Sequence, residues 1–503
     1  MGETFSLFPN NPHFQVCITT LSKKYDLPGL WYLDLWPIGP QQLIITDPDL
    51  ALYMTVTKNH PKHPMEAIFV DPVVGVGNIV TINGPKWKTI HNMLAPAFAI
   101  ANIKNMVPMI AEEVMTFRSI LHRLADSGDV FSLDDTCSNL TFDIMGKVIF
   151  GQSFDAQTKG SKALRNYHDI CHAFSIERDA WNPITARAQR RKRLAATKQL
   201  DGVLEKMILD RFQSIQRENL DVSKKRGLSV VDLVLRERIE EVRKSEGGST
   251  SALDAGFLAL ALTQIKTLLL GGMWDSSASR ISTYGDLGTG TTVDTICFCY
   301  MILSIQPEIV QKLCEEHDRV FSAGIDATYS MLQENSHKIS ELEYTNNVIK
   351  ETMRLYPIGN TARAEDETGF LTYQGRQYST KNQMLCPVQH TMHYNPKYFP
   401  NPGIFDPDRF TRDESPRHAW RPFERGPRAC LGQALAMDEM KIIMLLTVRD
   451  FNFTCANLRP NKVQRVPWTD MDLTFGDRAF QEFVFEAKPR DGMPMTVKKA
   501  VKI

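Results

Sequence analysis

The chain has no surplus of either charge: Lys plus Arg is 58 and Asp plus Glu is 58 among 503 residues. Neutralising a polyanion needs excess cations, so the balance argues against a nucleic-acid partner. No C-x-x-C pair occurs among the nine cysteines, and their number is odd. That disfavours a zinc ribbon or a thioredoxin-like site. A disulfide framework does not suit so long a chain that shows no secretory signal. No apolar run reaches the roughly 18 residues of a bilayer span. The best candidate, Phe257 to Gly272, carries Gln264 and Lys266 and reads as a buried helix. Gly75-Val76-Gly77 lacks the third glycine of a dinucleotide fingerprint, and no P-loop is present. There is no internal repeat and no low-complexity linker.

What is there is an ordinary globular composition, 43% hydrophobic and 23% charged. Apolar runs around Pro37-Ile38-Gly39-Pro40 predict a β-hairpin. Asp47-Pro48 predicts a helix start. Apolar spacing is helical from Met106 to Phe150, from Ala252 to Gly272 and from Val293 to Val320. Arg187 to Arg193 reads as a solvated helix face or loop, and Arg236 to Ser251 as a surface loop. From Gly369 onward short alternating runs take over. The fold class is mainly α, one large helical domain over residues 27–503 with small sheets near both ends. It is preceded by a polar segment over residues 1–26.

Phe423 to Gly432 reads FERGPRACLG, followed by the helical pattern QALAMDEMKIIMLL. Cys430 thus stands at a helix N-terminus beside Arg428, where dipole, amide donors and positive charge favour a thiolate. Such a thiolate can ligate haem iron. Gly426 and Gly432 would let the backbone approach a flat macrocycle. The other eight cysteines read as small buried hydrophobes. Upstream, Glu351 and Arg354 share a helix face at i, i+3, and FDPDRF supplies Arg409. One carboxylate between two guanidinium groups makes a buried staple behind a cofactor. His60-x-x-His63 and His390-x-x-His393 sit in Pro-flanked turns and read as packing or hydrogen-bonding groups.

The order E-x-x-R, then P-x-R-F, then F-x-x-G-x-R-x-C-x-G resembles the cytochrome P-450 superfamily of haem-thiolate monooxygenases. The likeness runs from after Leu27 to the end, and RPFERGPRACLGQALA is most similar to fungal microsomal members. The resemblance implies haem b as cofactor and Cys430 as axial iron ligand. It implies Glu351, Arg354 and Arg409 as a structural triad. Trp87, His91, Arg363 and Arg428 fall at propionate-binding positions, with His91 where Arg is more usual. Phe423, Gly426 and Gly432 complete the cofactor loop.

The family's oxygen-activation motif is [AG]-G-x-[DE]-T-[TS]. Here TLLLGG ends at Gly272 and TGTTVDTICF resumes at Thr289. Joined, they place Thr291 and Thr292 at the catalytic alcohols and Gly290 at the usual acid. Proton delivery would then need water or another carboxylate, and Asp294 lies about one turn away. Met273 to Gly288 interrupts the motif. It reads either as a surface-loop excursion or, favoured by the codons its ends allow, as a retained intron whose removal keeps the frame and restores Gly272.

The resemblance implies insertion of one atom of dioxygen into a small organic substrate, hydrophobic and of secondary-metabolite type. The electron donor would be an NADPH-cytochrome reductase docking beside Lys86, Lys88, Arg421, Arg425 and Arg428. Location would be the endoplasmic reticulum membrane, through a peripheral contact or an anchor that this chain lacks. Substrate selectivity is expected in Phe69 to Val80, Phe174 to Arg187 and the region after Pro357. Two rival readings stand beside this one. The first is a non-catalytic haem protein disabled by the 273–288 insert. The second is a haem-thiolate isomerase or peroxygenase.

Overall fold

The structure, a computed structural model, describes residues 2–35, 39–217, 229–244, 253–272, 290–365, 367–414, 416–483 and 487–500. After a short helical turn at Gly2–Phe5 comes helix α1 (Phe14–Lys24), with Gln15 to Ser22 buried. Thr19 bonds there to His390 at 2.7 Å and to Thr391 at 2.9 Å. Residues 15–22 are therefore built into the core. The predicted hairpin forms from β1 (Leu30–Leu33) and β2 (Gln42–Ile45), with Leu30 opposite Ile45. β2 also pairs in parallel with β3 (Met384–Pro387), joining two distant parts of the chain. Asp47 caps α2 (Pro48–Leu52) by accepting from the Asp49 and Leu50 amides, as Asp before an N1 proline should.

Helices α3 (Met65–Val74) and α4 (Gly84–Leu94) precede α5 (Ile100–Ser127) and α6 (Leu133–Phe150). The helical stretch expected from Met106 to Phe150 is thus two helices. Gly128 ends α5 at φ 71, and Ser132 starts α6 by capping the Asp135 amide. Helices α7 (Lys162–Asp179), α8 (Pro183–Arg217) and α9 (Val230–Lys244) follow. Most of Arg187 to Arg193 is exposed on α8. The loop expected from Arg236 is helix as far as Lys244, and residues 245–251 lie outside the described set.

Helix α10 (Ala255–Gly272) and helix α11 (Thr291–Leu303) flank Met273 to Gly288, which also lies outside the described residues. Thr292 to Leu303 are all buried, as expected of a helix apolar on every side. Helix α12 (Pro307–Val320) turns from α11 by 115°, because Pro307 cannot continue a helix. Helix α13 (Glu343–Leu355) and helix α14 (Gln433–Thr447) complete the core around α11. β4 (Phe451–Cys455) and β5 (Pro494–Lys499) pair antiparallel beside it. The architecture is mainly α with several small sheets. Among the described residues no single helix is long and apolar enough to cross a membrane.

Candidate active site

The Phe423–Gly432 loop folds back on itself before α14. The Cys430 amide donates to the Phe423 carbonyl at 2.9 Å, and the Ala429 amide to Gly426 at 3.0 Å. Gly426 has φ +88, and a side-chain carbon there would collide with the Thr55 carbonyl oxygen. Its glycine is required by close contact with residues 55–56. At Gly432 a side-chain carbon would stand 3.9 Å from the Cys430 sulfur, an ordinary contact.

Cys430 is exposed, Cys314 is half-buried and the remaining seven cysteines are buried. Burial pushes the thiols of Cys17, Cys299 and Cys386 up to about 12, and those of Cys137 and Cys297 well above the usual range. Such groups stay protonated and inert. Cys430 instead opens, from the positive end of α14, into a cavity with an empty volume of ≈ 800 Å³.

Thr291, Thr292 and Thr295 of α11 line the same cavity, as does Phe423. The Thr291 hydroxyl donates to the Gly271 carbonyl at 3.4 Å. With residues 273–288 left out, Thr291 follows Gly271 by four places. That is the spacing at which a helical threonine bonds one turn back. Thr295 does so to Thr291 at 2.8 Å. The facing ends of α10 and α11 are thus in contact, although Gly290 is extended at ψ 175 and α11 starts as a new helix. Asp294 is turned elsewhere: it is fully buried, 3.7 Å from the Lys488 ammonium, which also pairs with Asp134 at 3.4 Å. The carboxylate among the lining residues is Glu424, which belongs to the Cys430 loop.

Two cations, Lys62 and Arg428, line one edge of the cavity, and the charge of Arg363 acts on both from outside the lining residues. Lys62 bonds to Glu66 at 3.1 Å and to Thr361 at 2.6 Å. Burial lowers the Lys62 pKa, and the charges of Arg363 and Arg428 add to that. Arg363 is fully buried and donates one Nη to the His60 carbonyl at 2.8 Å. Its Nε and other Nη have no partner among the described residues. Arg428 is pushed down to about 10 by desolvation and by Arg363. Its Nη atoms donate to the carbonyls of Ile82 and Val80, both at 2.8 Å. Its guanidinium lies 4.7 Å over the Trp87 ring, and the His91 ring is tilted against Trp87 at 4.8 Å between centroids. Neither Trp87 nor His91 is among the lining side chains. Orphaned donors and surplus cations in a buried wall call for anions, and the two carboxylates of haem b fit them. An exposed Cys430 at a helix N-terminus fits its iron.

Behind the loop, Arg354 makes two bonds to Glu351, both at 2.8 Å, and Arg409 makes one at 3.0 Å. The guanidinium groups also donate to the carbonyls of His393, Pro400, Pro402 and Ile404. All three side chains are within 1% of complete burial. The structure therefore brings Glu351, Arg354 and Arg409 together. It separates the five cations expected on a docking face. Lys86 and Lys88 are exposed and Arg425 is half-buried. Arg421 is buried against Glu424 and Thr55, and Arg428 points at Trp87.

Sequence reasoning missed Lys62 and Glu66. Lys62 lies between the two histidines of His60-x-x-His63, whose rings bond to the Ala364 carbonyl and the Met65 amide. The signal was a lysine in a Pro-flanked turn, and only the pairing of Lys62 with Arg363 shows what it faces.

A family model described as cytochrome P450 matches residues 6–277 and 287–469. Cytochrome P450 monooxygenase acrF of Aspergillus aculeatus is 29% identical over 97% of this chain and 98% of its own length. Cytochrome P450 monooxygenase polC of Polytolypa hystricis is 28% identical, over 99% of this chain and 86% of its own. A crystal structure of the cytochrome P450DA heme domain superposes with a TM-score of 0.73 at 18% identity, covering 97% of this chain and 93% of that one.

Proposed function

The chain belongs to the cytochrome P450 family, and from that premise we propose a site-by-site reading of its monooxygenase activity. It is an oxidoreductase with haem as cofactor. The family implies a substrate, dioxygen and a redox partner. Haem held by a cysteine thiolate supplies the activation of dioxygen, one atom of which enters the substrate while the other becomes water.

In this reading Cys430 ligates the iron. Lys62, Arg363 and Arg428 hold the cofactor's carboxylates, with Trp87 and His91 supporting Arg428 from behind. Glu351, Arg354 and Arg409 keep the Cys430 loop in place. Thr291 holds a proton at Oγ1 beside the reacting face, and Thr292 lines the same wall. The observation that carries the reading is that Cys430 and Thr291 line one cavity. The Gly271–Thr291 contact favours a working helix over a haem protein disabled by the 273–288 insert.

The substrate is a hydrophobic small molecule, in keeping with fungal secondary metabolism. A second cavity, with an empty volume of ≈ 1470 Å³, shares Lys62, Asn360 and Thr361 with the first. Its other walls include Phe14, Ile18, Leu33, Met65, Phe69 and Val70. An electron-donating NADPH-cytochrome reductase and the cytoplasmic face of the endoplasmic reticulum belong to the same reading. A peripheral contact has a candidate in Trp181, 102% exposed between α7 and α8, and Ile184, 78% exposed in the first turn of α8. The deciding experiment is the reduced carbon-monoxide difference spectrum of the purified chain. A thiolate-type band is expected, and a band of the imidazole or bare-thiol type would sink the reading.

A further inference from the structure

Helix α10 has to end beside Thr291 for the Gly271 contact to form, and what positions it is tertiary. Gln264 lies about two turns before Gly271 and is 2% exposed. Its Nε2 donates to the Gly77 carbonyl at 3.0 Å, and its Oε1 accepts from the Ile79 amide at 3.0 Å. Those two residues lie within the connection between α3 and α4. Asn78 shapes that loop, accepting from the Val80 and Thr81 amides at 3.1 Å and donating to Asp71 at 2.8 Å. The far side of the loop presents the Ile79, Val80 and Ile82 carbonyls to Arg428, at 3.4, 2.8 and 2.8 Å. Arg428 is two residues from Cys430. One short loop therefore bonds to α10 on one side and to the Cys430 turn on the other.

We infer that Gln264 is a positioning residue for oxygen activation. It sets where the Gly271 carbonyl, and with it the Thr291 hydroxyl, stands relative to Cys430, with residues 77–82 as the spacer. The chemistry of glutamine is required because the loop offers one donor and one acceptor in a buried place. An apolar side chain would leave the Ile79 N–H and the Gly77 carbonyl unpaired. The remaining polar ties on α10 lead away from Cys430. Lys266 pairs with Asp201 of α8 at 2.8 Å, and the Tyr167 hydroxyl of α7 donates to the Lys266 carbonyl at 3.2 Å. Removing one of those loosens the same helix without touching the spacer.

The test uses the full haem-loaded chain with a reductase, and only its catalytic arm rests on the monooxygenase reading. In the unsubstituted protein, amides of residues 77–82 and 266–272 should exchange through one shared opening, below the free energy of global unfolding. Gln264→Leu should speed exchange in both segments. It should also raise hydrogen peroxide released per NADPH oxidised on the order of tenfold, since small misplacements at a reacting centre cost about a hundredfold. In that leak dioxygen takes two electrons from NADPH and two protons. The thiolate carbon-monoxide band should stay in place, because Cys430 keeps its own loop bonds. Tyr167→Phe should leave peroxide release near the starting level. Independent opening of the two segments would overturn the inference even where Gln264→Leu fails to accumulate. Unchanged peroxide in Gln264→Leu, or an equal rise in Tyr167→Phe, would overturn it too. An unsubstituted chain without the thiolate band would instead remove the proposed function.

Discussion

Behind Cys430 the chain is held by buried ions. Glu351 sits between two guanidinium groups whose remaining donors reach four carbonyls. Across the cavity, a neutral hydroxyl–carbonyl contact at 3.4 Å joins α10 to α11 among the described residues, and an amide side chain ties α10 to the α3–α4 loop. The first arrangement tolerates little, since removing one charge strands another in a dry place. The second can shift by a fraction of an ångström at small cost in stability and large cost in rate. The two sides should thus fail differently. Damage behind the cysteine loses cofactor and fold, and damage on the oxygen side loses coupling.

The largest effect should come from Cys430→Ser, which is expected to abolish both the thiolate carbon-monoxide band and turnover. Retention of either would reassign the axial ligand. Next is Arg354→Ala, which leaves Glu351 short of a partner at about 3–5 kcal/mol. Denaturant unfolding and haem content should show little loaded protein, and a stable, haem-replete variant would show that the network is dispensable. Deleting Met273 to Gly288 probes the oxygen side. It joins Gly272 to Thr289 in the order the Gly271–Thr291 contact implies. Haem occupancy and coupled oxygenation should both rise. Equal values in both forms, with transcripts that retain the segment, would make it a tolerated native loop.

The pH dependence separates the sides more gently. Glu439 of α14 is pushed up to about 8 by burial. Its contribution is fully present below the unfolded carboxyl value and is lost as pH rises through about 8. Burial lowers His13, His317 and His393 to about 3. Their contribution is present above about 6.5 and is lost as pH falls toward 3. Thermal melts across this range should therefore show a dome, and Glu439→Gln should flatten its alkaline arm alone. An unchanged alkaline arm would place the pH effect elsewhere. The smallest effect is ionic. Reduction by the flavoprotein should slow modestly as salt rises, because Lys86, Lys88 and Arg425 are the cations left to steer it. A rate indifferent to salt would move the docking face.

Short-range chemistry was readable without coordinates. The Cys430 loop, the Glu351–Arg354 spacing, the Asp47 cap and the β1–β2 pairing each depend on residues close in sequence, so local spacing carries them. Helix ends were harder. Gly128 inside a long apolar pattern and Lys244 inside a charged run gave the wrong boundaries, because apolar period outlasts or understates the helix it marks. Roles that depend on neighbours were not readable. Arg421 counted as a surface cation and is buried under Glu424. Asp294 stood near the motif and is turned to Lys488.

Taken alone, the sequence determined the haem-binding class, the Cys430 loop and the interruption at Met273 to Gly288, since each is written in consecutive residues. Tertiary structure decided the rest. It gave Gly426 its reason, a collision with Thr55 that no local pattern encodes. It brought Lys62 opposite Arg363 through a bridge spanning most of the chain. It set Gln264 against the Gly77–Ile79 backbone. Charge, burial and hydrogen-bond completion belong to a place in space, and residues far apart in sequence share that place only after the chain has folded.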